Sequence, residues 1–135
     1  MAILDRTPQK TKVKIMKKNT LVKKHEKMSR EPLPQCHGGK GVLDWTLVLG
    51  DEETEGKRLN FIHDDVLPPG ASVGHHEHMN DEEYYYIISG KGMMVLDGEK
   101  FEVKAGDITA VFSGGSHGLE NYGTEELRVI VISIS

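Results

Sequence analysis

The chain has 135 residues, a single cysteine, 37% hydrophobic residues and a formal net charge of -4. That length closes one hydrophobic core without covalent support, and Cys36 alone excludes an intramolecular disulfide framework. No stretch approaches the roughly 18 apolar residues of a membrane helix, and the first residues lack the apolar run of a secretory signal, so the expectation is a cytoplasmic protein with no membrane partner.

Charge is unevenly distributed. Residues 1–30 hold ten Lys and Arg against Asp5 and Glu26, which leaves a net -12 for the remainder. A basic arm of this kind can track phosphates. It carries no aromatic side chain to stack on bases and no nucleic-acid motif, so residues 1–31 are read as a solvated N-terminal tail or arm, and nucleic acid is set aside. Within it Thr11, Val13 and Ile15 alternate with Lys as in a short edge strand, and Asn19-Thr20 ahead of Leu21, Val22 and Met28 is a candidate helical start. Pro32, Pro34, Gly38, Gly39 and Gly41 then predict a loop. Cys36-His37 has no further metal-ligating residue nearby in sequence and is read as plain loop. Gly38-Gly39-Lys40-Gly41 lacks the leading glycine and the Ser/Thr of a phosphate loop, and reads as a turn into the first barrel strand.

From Val42 onward the sequence is a series of short β-branched and aromatic runs closed by Gly, Pro, Asp or Asn: 42–49, 58–67, 72–78, 83–89, 92–96, 100–103, 107–112, 117–121 and 127–134. Their regular spacing predicts an all-β sandwich or barrel over residues 32–135. Asp97-Gly98 between two such runs is a two-residue hairpin signal, because glycine tolerates the positive φ those turns need. Asp51-Glu52-Glu53 and Asp64-Asp65 read as solvated charge. The last run is apolar on both strand faces, so one face fills the barrel and the other asks for a second layer or a second subunit. Tyr84, Tyr86 and Ile88 share an outward face of the same kind, which suits a homodimer contact.

Residues 70–90 are the informative part. Side chains alternate along a strand, so His76 and His78 point the same way and Glu77 points away. After the turn at 79–82 the chain returns antiparallel, and Glu83 lies across from the two histidines; Glu82 is the rival carboxylate. His75 is out of phase. Downstream, His117 follows a glycine-rich turn and supplies a fourth donor. Three imidazoles and a carboxylate suit one divalent transition metal ion, Mn, Fe, Co, Ni or Zn, with positions left open to water or substrate. His63 shares a phase with Leu59, Phe61 and Leu67 and is a candidate supporting donor or acid/base, a structural histidine being the alternative. Tyr85 faces the cavity beside Glu83, where its hydroxyl either orients a ligand or simply packs in the core.

These residues carry a resemblance. Gly70, His76, His78, Glu83 and Gly90 fall in register with the first cupin motif, and Gly106, Gly114, His117 and Asn121 with the second, where Phe112 replaces the usual proline. With Glu82 as ligand the closing glycine would fall on Ser89, so the motif favours Glu83. The chain resembles small single-domain cupins of the oxalate-decarboxylase-like kind. That resemblance implies a double-stranded β-helix, or jelly roll, with an N-terminal extension, an ion in the barrel mouth, and often a dimer. It implies a metal-dependent protein acting on a small carboxylate or sugar-derived acid by Lewis-acid activation, in the manner of a decarboxylase, isomerase, lyase or dioxygenase. The alternative is a non-enzymatic module that binds or senses such a ligand through the metal. Oxalate decarboxylation would need a cationic residue to hold the substrate, and only Arg58 lies in the early strands.

Overall fold

The computed structural model describes residues 14–16 and 19–135. Thr11 and Val13 of the expected edge strand lie outside these residues; Ile15 lies in β1 (Lys14–Met16), opposite Val22 of β2 (Leu21–Lys23). The helical start expected at 19–28 is not formed: Leu21 and Val22 belong to β2, and only one 3-10 turn, His25–Lys27, follows, with no side-chain cap at Lys24 to extend it.

The loop expected from the prolines and glycines is also shorter than predicted. Its first part belongs to β3 (Ser29–Pro34), which spans both sides of the expected boundary at residues 31 and 32 and pairs with β4 (Val42–Leu49) from Ser29↔Leu47 to Pro34↔Val42. β3 is the last strand of its sheet. Proline has no N–H to donate, and an edge strand has a side on which none is needed.

Nine strands, counted from β4, then follow the expected runs to within one or two residues: β5 (Leu59–Leu67), β6 (Ser72–Glu77), β7 (Glu82–Ser89), β8 (Lys91–Leu96), β9 (Glu99–Lys104), β10 (Ile108–Val111), β11 (Ser116–Glu120) and β12 (Leu127–Ile134). A six-stranded antiparallel sheet, ordered β10-β7-β12-β5-β4-β3, faces a four-stranded one, ordered β6-β11-β8-β9. This is the all-β jelly roll. Asp97 and Gly98 make the predicted hairpin turn, with φ of 48° and 85° and Leu96 paired to Glu99.

The two inner faces meet in a core of Leu43, Leu67, Ile87, Met94, Leu119 and Leu127, all essentially inaccessible to water. β12 lies between β5 and β7: Leu127, Val129 and Val131 fill the barrel, while Ile130 and Ile132 stand outward beside Tyr86 and Tyr84. Asn121 proves to be a structural latch. Fully buried, it donates from Nδ2 to the carbonyls of Leu67 and Glu125, both at 2.8 Å, and accepts from the Gly123 amide at 3.0 Å, which closes the turn into β12.

Cross-strand register sorts the inward side chains of the larger sheet into rows. Glu83, Ser133 and Phe61 form one; Tyr85, Val131, His63 and Leu47 the next; Ile87, Val129, Asp65 and Trp45 the one beyond. Polar groups therefore lie on one side of the barrel at three successive levels.

Candidate metal centre

Three strands and one turn bring four donor residues together. His76 ends the inward face of β6, and His78 follows just past its last residue, where the backbone remains tied to the turn before β11 by His78 N–H to Gly115 O at 2.9 Å and Gly114 N–H to His78 O at 2.7 Å. His117 pairs with His76 across β6 and β11. The register between these strands shifts by one residue immediately beyond, and such a bulge re-aims the side chains next to it. Glu83 comes from β7 on the opposite sheet.

The donor atoms of His76, His78, Glu83 and His117 all lie within 4.8 Å of one another. His117 Nε2 is the hub: 3.1 Å from His78 Nε2, 3.2 Å from His76 Nε2 and 3.2 Å from Glu83 Oε1. The opposite ring nitrogens of two histidines are held from outside. His76 Nδ1 is 2.7 Å from the Gly74 carbonyl, and His78 Nδ1 is 3.1 Å from the Asp81 carboxylate. Both partners only accept, so Nδ1 carries the proton in each ring and Nε2 presents a lone pair to the centre. Burial pushes His76 down to about 4, against the pull of its Gly74 hydrogen bond, which keeps the ring neutral at ordinary pH. Burial works to raise Glu83, but the hydrogen bond and charge of His117, with His78 and His76 behind it, hold its carboxyl below the usual range.

The rival residues point elsewhere. Glu82 accepts a hydrogen bond from the Tyr84 hydroxyl at 2.7 Å, away from the cluster, and His75 is exposed. Tyr85 combines both of its expected places: it belongs to the buried core, and its ring lies 4.8 Å from that of His117. Burial and the nearby Glu83 carboxylate hold its hydroxyl well above the ordinary tyrosine value. His63 does face the interior, stacked on Phe61 with ring centres 4.0 Å apart and edge-on to Trp45 at 5.1 Å. Burial lowers it to about 4 despite Glu83, so it too is a neutral imidazole.

Two sequence readings need correction here. Cys36-His37 is no plain loop: the His37 ring stacks on His76, centroids 3.7 Å apart and 11° from parallel, at the mouth of the barrel. The loop also seats by close backbone contact, since a Cβ on Gly39 would fall 2.1 Å from Ser72 O and one on Gly74 would fall 2.0 Å from His37 O. Only glycine allows so close an approach. His37 pays for its place with a left-handed backbone, φ 49°. The pair Asp64-Asp65 is also divided. Asp64 bonds Arg128 on the outer face, Oδ2 to Nη2 at 2.6 Å, whereas Asp65 is only 6% exposed and faces the barrel interior. Asp65 shares the period-two phase of Phe61, His63 and Leu67, and that phase was the available signal.

A jelly roll that carries His-x-His, a carboxylate on the returning strand and a distant third histidine in one cluster is the architecture of a cupin, and residues 64–133 match the cupin domain family. The chain belongs to the cupin family. It is 35% identical to an oxalate-binding protein of Thermotoga maritima over 88% of this chain and 98% of that protein. A solved structure of a "predicted oxalate decarboxylase" from Thermotoga maritima superposes with a TM-score of 0.76 at 32% identity, covering 82% of this chain and 96% of the other. The cupin domain of Cnp3 from Schizosaccharomyces pombe shares the fold at 16% identity, with a TM-score of 0.62 over 78% and 68% of the two chains.

Proposed function

We propose that His76, His78, Glu83 and His117 hold one divalent transition metal ion, and that the ion anchors a small carboxylate, oxalate being the first to test. The observation that carries this reading is the convergence of three Nε2 atoms and one carboxylate oxygen within 4.8 Å of one another, with His117 Nε2 only 3.1–3.2 Å from the other three donors. Lone pairs gathered this closely repel unless a cation stands among them. The spacing also suits it: donors that each make a bond of about 2.1 Å to a shared ion sit roughly 3.0–3.4 Å apart. Imidazole and carboxylate together suit Mn, Fe, Co, Ni or Zn. Gly74 and Asp81 orient two of the rings and keep them in the ligating tautomer.

When bound, such an ion supplies Lewis acidity to an oxygen-bearing ligand. The residues around it then define the ligand: His37 lines the mouth, while Tyr85, His63 and Phe61 line the interior. Titrating metal-loaded protein with oxalate in a calorimeter is the test, with one metal ion and one oxalate bound per chain as the expected result. Oxalate binding of equal strength to chelator-stripped protein would refute metal anchoring. A second reading, turnover of a carboxylate or sugar-derived acid, is supported by His63 and Asp65, two titratable groups with Nδ1 and Oδ2 4.0 Å apart inside the barrel. Product formation above that of free metal separates it from plain binding.

We infer from a separate feature that the protein is a homodimer. Tyr86, Ile108 and Ile130 are paired neighbours on the outer face of the larger sheet, Ile108 being 61% exposed. A contiguous apolar face of this kind suits a second copy. Sedimentation at the dimer mass is expected, with dissociation to monomer on Ile108→Lys; a wild-type monomer would refute it.

A further inference from the structure

The inner faces of β4 and β5 carry polar atoms that neither the fold nor the metal centre uses. Asp65 Oδ1 and Trp45 Nε1 are both buried, and neither has a hydrogen-bond partner among the described residues. They are not scattered: Trp45 and Asp65 are directly paired across β4 and β5, in a row otherwise made of Val129 and Ile87. His63 stands beside them, its ring edge-on to Trp45 and its Nδ1 4.0 Å from Asp65 Oδ2. A buried polar atom left unsatisfied destabilises the fold. A valine or leucine at position 65 would continue the core at no such cost, so two adjacent orphans call for a group that satisfies them.

We propose that Trp45 Nε1 and the Asp65 carboxyl form a second polar anchor inside the barrel, which binds the far oxygen-bearing end of a small acid whose near end is held at the metal centre. This rests on the metal-anchored reading above and names the ligand class within it. Burial, with the charges of Asp64, Glu83 and Asp44 behind it, raises Asp65 to about 8, so near neutral pH it is a protonated carboxyl and a donor. Trp45 is a donor only. Two donors on directly paired residues fit a second carboxylate, or a keto or hydroxy oxygen, better than a bare alkyl end. Asp65 lies two side-chain rows from Glu83, so the ligand is longer than the two-carbon oxalate.

Succinate and butyrate, equal in carbon number and different only at the far end, make the test. Both are titrated into Zn(II)-loaded full-length protein, with metal content checked by elemental analysis. The expected wild-type result is succinate binding at least tenfold tighter than butyrate. Trp45→Phe keeps the ring against His63 and removes the N–H, and should abolish that preference by weakening succinate about tenfold while leaving butyrate and zinc unchanged. Asp65→Leu should do the same, and Asp65→Asn, which keeps a neutral donor, should restore it. Trp45 is the sole tryptophan of the chain, so succinate should also shift its fluorescence in the wild type. An unchanged succinate-to-butyrate ratio in Trp45→Phe would overturn the second anchor while metal anchoring stands. Failure of the zinc-loaded wild type to bind either acid would instead sink the metal-anchored reading, and the second anchor with it.

Discussion

Protein carrying His117→Ala is expected to retain no tightly bound divalent metal after purification, whereas Glu82→Ala should retain a full equivalent. His117 is the residue on which the cluster turns: it is completely buried, and its Nε2 lies within 3.2 Å of the donor atoms of His76, His78 and Glu83. Loss of a residue that merely supports a metal ligand lowers affinity 10- to 100-fold. Loss of the central ligand exceeds that range, because no spare donor of the cluster can replace it. Glu83→Ala and His78→Ala are expected to behave alike. Glu82 differs because the strand turns it outward to the Tyr84 hydroxyl, and its removal costs only a part-buried hydrogen bond away from the cluster. Elemental analysis of the variants beside wild type measures this directly, and a full equivalent of metal in Glu83→Ala would show the carboxylate to be misassigned. Circular dichroism of each variant separates loss of metal from loss of fold.

Part of the donor set was legible because its signal is local: two histidines separated by one residue share a strand face, and the returning strand puts a carboxylate across from them. The choice of Glu83 over Glu82 and the distant His117 came from the resemblance to the cupin motifs. Strand boundaries were legible for the same reason, and the hairpin at Asp97-Gly98 is set by its own two residues. What escaped was set by tertiary contact. Pro32 and Pro34 argue for a loop wherever the neighbouring strands are unknown, and only the position of β3 at the sheet edge makes a strand acceptable there. His37 reaches His76 through a backbone contact between Gly39 and the segment Ser72 to Gly74, more than thirty residues away, for which no local pattern exists. Trp45 likewise becomes informative only once its partner across β4 and β5 is known to be a buried carboxyl. Asp65 is different in kind. Its phase is readable, but a charged pair next to an apolar run is so commonly solvated that sequence alone favours exposure.

The burial of Asp65 has a consequence for stability that a pH series exposes. In the unfolded chain an aspartate titrates near 3.9, and in the folded protein burial, then the charges of Asp64, Glu83 and Asp44, raise Asp65 to about 8. Between those values the folded state holds a proton that the unfolded state has lost, so stability falls as pH rises, by at most about 1.4 kcal/mol per unit. His63 and His76 work in the opposite sense. Both are lowered to about 4 from an ordinary value of 6.5, so from about pH 4 to 6.5 the unfolded state binds more protons and stability rises. His37, lowered by burial, adds to that rise. Glu83 is held below the ordinary range, and its contribution disappears only as pH falls through the acid limb. The metal-free protein is therefore expected to be most stable near pH 6.5 and to lose about 1 kcal/mol between 6.5 and 8, where the loss of the Asp65 proton outweighs the last protons that the histidines shed in the unfolded chain. For a chain of this size that is a fall in Tm of about 3–4 °C. Asp65→Asn cannot ionise and should rise slightly in stability across the same interval, while its rise from pH 5 to 6.5 steepens because the opposing slope has gone. Chelator-treated wild type and Asp65→Asn, melted at pH 5, 6.5 and 8, give the comparison. A parallel fall in both above pH 6.5 would place the titrating group elsewhere, and a wild type equally stable at 6.5 and 8 would mean that Asp65 is already ionised in the fold and cannot serve as a donor to the far end of a ligand.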